Sequence, residues 1–151
     1  MDIPKVLLDT DVVVNWLVQE LETQSGKELW KAPHEIVRRA ENKSISAFIS
    51  LTTLMEVRYL LRRKKAFSSS QVEEDLAEIT SVIDVLIPDE ISLLKANTLQ
   101  AVYPLDPFDA IHLSLCMGLE PMTLVSRDSV FISLSKKLVL AQTPEEFIGS
   151  L

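Results

Sequence analysis

Four short acidic segments punctuate the chain: Val6-Leu7-Leu8-Asp9-Thr10-Asp11, Thr53-Leu54-Met55-Glu56, Asp106-Pro107-Phe108-Asp109-Ala110 and Leu124-Val125-Ser126-Arg127-Asp128. They are far apart in the chain and can meet only through a folded core. Two unit charges ~4 Å apart repel by about 4 kcal/mol at a surface-like dielectric. Three or four carboxylates in one place therefore imply a bound cation or shared protons. Hard oxygen donors suit Mg²⁺ or Mn²⁺. The chemistry such a set would support is metal-dependent chemistry on phosphates, with Asp9, Glu56, Asp109 and Asp128 as candidate ligands.

The elements that must position these acids are legible in the pattern of apolar residues. Val6 to Leu8 is a continuous apolar run ending in polar groups, which predicts a buried parallel strand followed by a helix from Val12 to Val18. A second helix is expected over roughly Gly26 to Asn42, with Leu29, Trp30, Ile36, Val37 and Ala40 at helical spacing. Ser44 to Phe48 predicts a strand. A helix capped by Thr52 or Thr53 should then run to about Lys65, and another should follow Ser68-Ser69-Ser70 to about Ser81. Val82 to Ile87 is strand-like, Pro88 suits the first position of a helix running to Val102, and Pro107 to Met117 predicts a helix stopped by Gly118. Met122 to Val125 predicts a strand, Asp128 to Leu134 a short helix, Lys137 to Leu140 a last strand and Pro144 to Ile148 a terminal helical turn. Strands alternating with helices argue for an α/β domain with a mostly parallel central sheet. Ligands of such sheets bind beyond the carboxyl ends of the strands, where Asp9 and Asp128 fall.

Each acid also has a structural reading. Asp9 and Asp11 compete to cap one helix, so Asp9 is assigned to the site and Asp11 to the backbone. Glu56 has the ordinary alternative of a solvated helical glutamate. Asp106-Pro107-Phe108-Asp109 has the form of a cap, with proline at the first helical position and an acid at the third. Asp109 is the preferred ligand there, and Asp106 the cap or an outer acid. Asp128 could equally cap a helix, Ser126 could reach a phosphate or a metal-bound water, and Arg127 could meet substrate charge. His112 shares a helical face with Asp109 and Cys116. Neither it nor His34 has a partner at nucleophile or zinc spacing, so neither is assigned a role and zinc is disfavoured.

Bulk properties narrow the classes. The 151 residues suit one domain spanning 1–151. A net charge of −7 excludes binding to nucleic acid by bulk charge alone. Arg58, Arg62, Arg63, Lys64 and Lys65 nevertheless concentrate five of the 15 basic residues just after Glu56. They read either as a helix end complementing its dipole or as a contact for an RNA backbone. The lone Cys116 cannot form an internal disulfide, and no apolar run approaches a membrane span. A soluble, cytoplasmic protein is expected. Three glycines could hardly supply a Walker loop or a dinucleotide fingerprint.

In order, Leu-Leu-Asp-Thr-Asp, Thr-Thr-Leu-Met-Glu-Val, Phe-Asp-Ala-Ile-His-Leu-Ser and Leu-Val-Ser-Arg-Asp with Phe131 following resemble the PIN-domain ribonucleases, with the small VapC-type toxins the nearest likeness. The resemblance covers essentially the whole chain. It implies a PIN-like three-layer sandwich and a metal-dependent endoribonuclease acting on RNA. The acids at Asp9, Glu56, Asp109 and Asp128 would surround one or two Mg²⁺ or Mn²⁺ ions, and a metal-activated water would attack the phosphorus in line. It further implies a homodimer neutralised by a cognate antitoxin. The chain departs from the commonest form in having Asp11, where asparagine or serine often appears, and the extra Asp106.

Two other readings fit the residues. Asp9-Thr10-Asp11-Val12-Val13 satisfies the opening motif of haloacid-dehalogenase-like phosphatases, in which Asp9 would be a covalent nucleophile. That family follows the motif with a loop and hairpin and ends with paired acids, neither of which is predicted here. A catalytically silent PIN-like binding module is the other alternative, although all four acidic positions are filled.

Overall fold

The structure is a computed structural model and describes residues 2–151. In chain order the elements are β1 (Lys5–Leu8), α1 (Thr10–Val18), α2 (Lys31–Glu41), β2 (Ser46–Ser50), α3 (Leu51–Arg63), α4 (Ser69–Val82), β3 (Asp84–Leu86), α5 (Glu90–Val102), α6 (Pro107–Gly118), β4 (Thr123–Val125), α7 (Ser129–Ser135), β5 (Ala141–Gln142) and α8 (Pro144–Gly149). Every strand pairing is parallel, in the order β3-β2-β1-β4-β5. The expected mostly parallel α/β sheet is thus wholly parallel among the described residues.

Alternation along β1 builds three layers. Successive side chains of a strand point to opposite faces. Val6 and Leu8 accordingly pack with Val12, Ile36, Val57, Leu61, Val72, Ile79 and Phe147, residues of α1, α2, α3, α4 and α8. Leu7 packs on the other face with Ala96, Leu99, Leu113, Cys116 and Phe131 of α5, α6 and α7. Burying one such aliphatic side chain is worth about 1.5–3 kcal/mol, so these two apolar layers hold the helices on the sheet. Cys116 is buried in the second, as core packing predicts.

Strand order reverses at the centre of the sheet. From β1 the chain moves outward to β2 and β3, then returns to lay β4 on the other side of β1. The register pairs Val6 with Thr123, Leu7 with Leu124 and Leu8 with Val125, so β1 and β4 end level with each other. Their carboxyl ends form the crevice where open α/β sheets bind ligands.

Four sequence expectations on elements need correction. The helix expected from Gly26 begins only at Lys31. The preceding residues are tied into a turn by an isolated bridge between Leu21 and Glu28, and Gly26 adopts φ 71°, a left-handed conformation that suits glycine. The strand expected over Lys137 to Leu140 is a turn, because the Leu138 and Val139 amides donate to the Ser135 carbonyl at the end of α7. The last strand is Ala141–Gln142. Caps also shift: Ser50 caps α3 in place of Thr52 or Thr53, and Asp89 caps α5, leaving Pro88 just outside it.

Candidate metal centre

Asp9 sits at the carboxyl end of β1 and at the N-cap of α1. The amide of Thr10 donates to its Oδ1 at 2.8 Å, and the Ser126 hydroxyl, just past β4, donates to its Oδ2 at 2.8 Å. The carboxylate therefore bridges the two central strands, with 7 % of its residue surface exposed. Capping and facing the site, which looked like rival duties for Asp9 and Asp11, are both performed by Asp9. Asp11 Oδ2 instead accepts the backbone amide of Arg127 at 3.2 Å, while its Oδ1 is buried without a hydrogen-bond partner.

Helix α6 supplies the opposing groups. Asp106 is its N-cap, accepting the Asp109 amide at 2.9 Å. Asp109 in the first turn and His112 one turn later lie on the same helical face. One potential ligand atom from each of Asp9, Asp109 and His112 lies within 4.8 Å of the others. Convergence of Asp9 and Asp109, on which the metal expectation depended, is thus present in the fold. His112 was passed over in the sequence because it lacks a zinc-spaced partner. Its shared face with Asp109 was the available signal, and only the tertiary fold shows Asp9 opposite.

Glu56, on α3, reaches the cluster through a hydroxyl: Thr10 Oγ1 donates to Glu56 Oε1 at 2.7 Å. Thr10 Oγ1 is also 3.3 Å from Thr53 Oγ1, which lies 3.2 Å from His112 Nε2. Asp128 is exposed and caps α7, accepting the amides of Val130 and Phe131, while its own amide donates to Ser126 Oγ. Its hydrogen-bonded link to Asp9 runs through Ser126.

Crowding of like charge shapes the acidities. Burial pushes the Asp109 carboxyl up to about 7, with the charges of Asp9 and Asp106 adding to it. Burial and the charge of Asp9 likewise raise Asp11 to about 7. Glu56 is raised, chiefly by burial. Burial acts to raise Asp9 too, but the neighbouring imidazole, the Ser126 hydroxyl and the Thr10 amide outweigh it and hold that carboxyl low. Against burial, Asp9 raises His112. One ionised carboxylate amid reluctant ones, beside a nitrogen drawn toward positive charge, is a setting that a divalent cation relieves.

The basic residues divide. Arg58 is paired with Glu73, Nε to Oε2 at 3.0 Å and Nη2 to Oε1 at 3.1 Å. Arg62, Arg63, Lys64 and Lys65 are exposed at the end of α3. Arg127, expected to be able to meet substrate charge, is engaged inside the chain: its guanidinium donates to Asn15 Oδ1, to both carboxylate oxygens of Glu145 at 2.7 and 2.8 Å, and to the Leu29 carbonyl.

The sequence profile of the PIN domain family matches residues 5–129. The chain belongs to the PIN-domain family. That assignment agrees with the residues that converge here, and α1 starting at Thr10 leaves no room for the loop and hairpin of the dehalogenase-like alternative. No curated protein sequence matches this PIN-domain chain. Solved structures do resemble it in fold. A toxin-antitoxin complex from Klebsiella pneumoniae aligns with TM-score 0.66 at 18% identity, covering 93% of this chain and 98% of that one. VapBC2 from Rickettsia felis bound to a DNA fragment from its promoter aligns with TM-score 0.66 at 16% identity, over 91% and 97%. DNA-bound VapBC from Salmonella typhimurium gives 0.65 at 19%, over 94% and 99%. Among the described residues no helix is long and apolar enough to cross a membrane.

Proposed function

We propose that this PIN-domain chain is a divalent-metal-dependent endoribonuclease, the VapC-type toxin of a toxin-antitoxin pair, acting on RNA in the cytoplasm as a homodimer restrained by a cognate antitoxin. The observation that carries the reading is the meeting of Asp9 and Asp109 at the sheet's switch point, with ligand atoms close enough to share one ion. Donor chemistry fits Mg²⁺ or Mn²⁺: two carboxylates, a buried imidazole nitrogen without a hydrogen-bond partner and a third carboxylate, Glu56, held nearby through Thr10.

Asp9 and Asp109 would hold the ion directly, and Glu56 and Asp128 would bind a second ion or order water. Such an ion supplies Lewis-acid stabilisation of phosphoryl charge and makes an attacking water more acidic. The chain's own contribution is placement. Ser126 and the Thr10 amide orient the two oxygens of Asp9, and Thr10 orients Glu56. The exposed Arg62 and Arg63 follow Glu56 by about two turns, roughly 10 Å along α3, within reach of the backbone of an RNA strand lying in the crevice. Arg58 could join them only by leaving Glu73. The partner reading is supported by the three structural neighbours, each of which is a toxin-antitoxin or VapBC assembly. An exposed apolar stripe on α5 supports the dimer.

The test is cleavage of RNA with Mn²⁺, with chelator, and with Asp9→Asn. Chelation and the substitution should each abolish cutting, the latter with an unchanged melting profile, because a ligand is lost while the cap oxygen is kept. Cutting that persists in Asp9→Asn overturns the assignment. Turnover of a small phosphomonoester through a phospho-aspartate would point to the dehalogenase-like chemistry instead.

A further inference from the structure

We propose that His112 Nδ1 is a ligand of the ion held by Asp9 and Asp109, so that the centre favours Mn²⁺ or a later first-row ion over Mg²⁺. The inference rests on the metal site proposed above and adds to it a nitrogen donor, with the selectivity that follows.

The imidazole is sealed in the core, its side chain 1% exposed. Its Nδ1 lies 3.2 Å from Asp9 Oδ1 but off the line an N–H would need, so it is a buried nitrogen without a hydrogen-bond partner. Such atoms are costly and rare unless something else satisfies them. The other ring nitrogen, Nε2, lies 3.2 Å from Thr53 Oγ1, which fixes the orientation of the ring. With Nε2–H donated to Thr53, Nδ1 carries a lone pair that faces the acidic cluster. Two ligands bound at ~2.1 Å at right angles around one ion stand about 3 Å apart. That is the spacing of Nδ1 and Asp9 Oδ1. Ligating histidines commonly have the second ring nitrogen anchored in this way. An imidazole in place of an oxygen ligand raises affinity for transition ions more than for Mg²⁺.

Electron spin echo spectroscopy of the Mn²⁺-loaded full chain tests this without altering His112. Expected is a ¹⁴N modulation that changes to the ¹⁵N pattern when histidine is ¹⁵N-labelled and that survives His34→Gln. Calorimetric titration with Mn²⁺ and with Mg²⁺ should show tighter Mn²⁺ binding, and His112→Asn should weaken Mn²⁺ binding by at least about tenfold while moving Mg²⁺ less. If Mn²⁺ binds, is lost in Asp9→Asn, and yet gives no histidine modulation, the nitrogen ligand is refuted while the metal site stands. A modulation lost in His34→Gln refutes it equally. Mn²⁺ binding that Asp9→Asn leaves unchanged overturns the site and the inference together.

Discussion

Asp11 is a carboxyl with one oxygen serving the Arg127 amide and the other buried without a partner. Its acidity, pushed up to about 7 from an ordinary 3.8, means that the folded chain holds the proton more tightly than the unfolded chain does. Below pH ~4 the group is neutral in both states and costs nothing. As pH rises toward 7 the unfolded chain ionises first and stability falls, by at most about 1.4 kcal/mol per unit. Water reaching the half-buried group screens part of this. Asp11→Asn keeps an oxygen for the Arg127 amide and removes the charge, so with chelator present it should stabilise by about 2 kcal/mol at pH 8 and negligibly at pH 4. Thermal melts at the two pH values check it, and an equal effect at both would contradict it. Asp128 poses a different question, since capping α7 is a sufficient duty for it. Asp128→Ser should preserve the cap, with Asp128→Ala costing about 1 kcal/mol. If Asp128 also serves the site, RNA cleavage falls in both variants; unchanged cleavage in the stable serine variant would reduce Asp128 to a cap. At this scale the acids were legible because carboxylates after apolar runs are conspicuous. His112 was not, because its partner Asp9 comes from a different element.

Among the elements, Arg127 is a tie. Through Asn15 on α1, Glu145 on α8 and the Leu29 carbonyl before α2 it joins three segments at the rim of their shared apolar layer, with 15% of its side chain exposed. Arg127→Ala leaves the partly buried Glu145 with only the longer 3.5 Å contact to Lys27, and should cost about 2 kcal/mol in urea unfolding. Arg127→Lys should recover little of it, since an ammonium cannot reproduce the two-pronged contact. Wild-type stability in both variants would mean the network is dispensable. The sequence suggested a charge able to face substrate, because a strand-end arginine looks the same whether its acceptors are outside or inside the chain. The misplaced start of α2 has a similar cause: Leu29 and Trp30 continue the helical period of Ile36 and Val37, but the Leu21–Glu28 bridge and the turn at Gly26 hold that stretch as a loop.

For the whole molecule, the outer face of α5 carries exposed apolar side chains. Ile91, Leu94 and Val102 follow one another at helical spacing and are 76%, 61% and 67% exposed, with Ile87 at 72% just before the helix. Exposed apolar side chains gathered on one helix are a feature of interfaces. Sedimentation should show a concentration-dependent dimer in the micromolar range, and Leu94→Lys should shift it to monomer without lowering the monomer's Mn²⁺ affinity. A wild-type monomer throughout would remove the dimer from the proposal. By itself the sequence determined the alternation of strands and helices, and hence a mostly parallel α/β sheet with Asp9 and Asp128 beyond strand ends, because local periodicity encodes which face of each element is buried. It also supplied the family likeness, through four motifs in order. Only the tertiary structure decided that Asp9 both caps a helix and faces Asp109, that Asp11 turns to the Arg127 backbone and that an imidazole joins the acids. Those outcomes depend on which residues of other elements stand opposite, and the period of a single helix or strand carries no information about what faces it across the crevice.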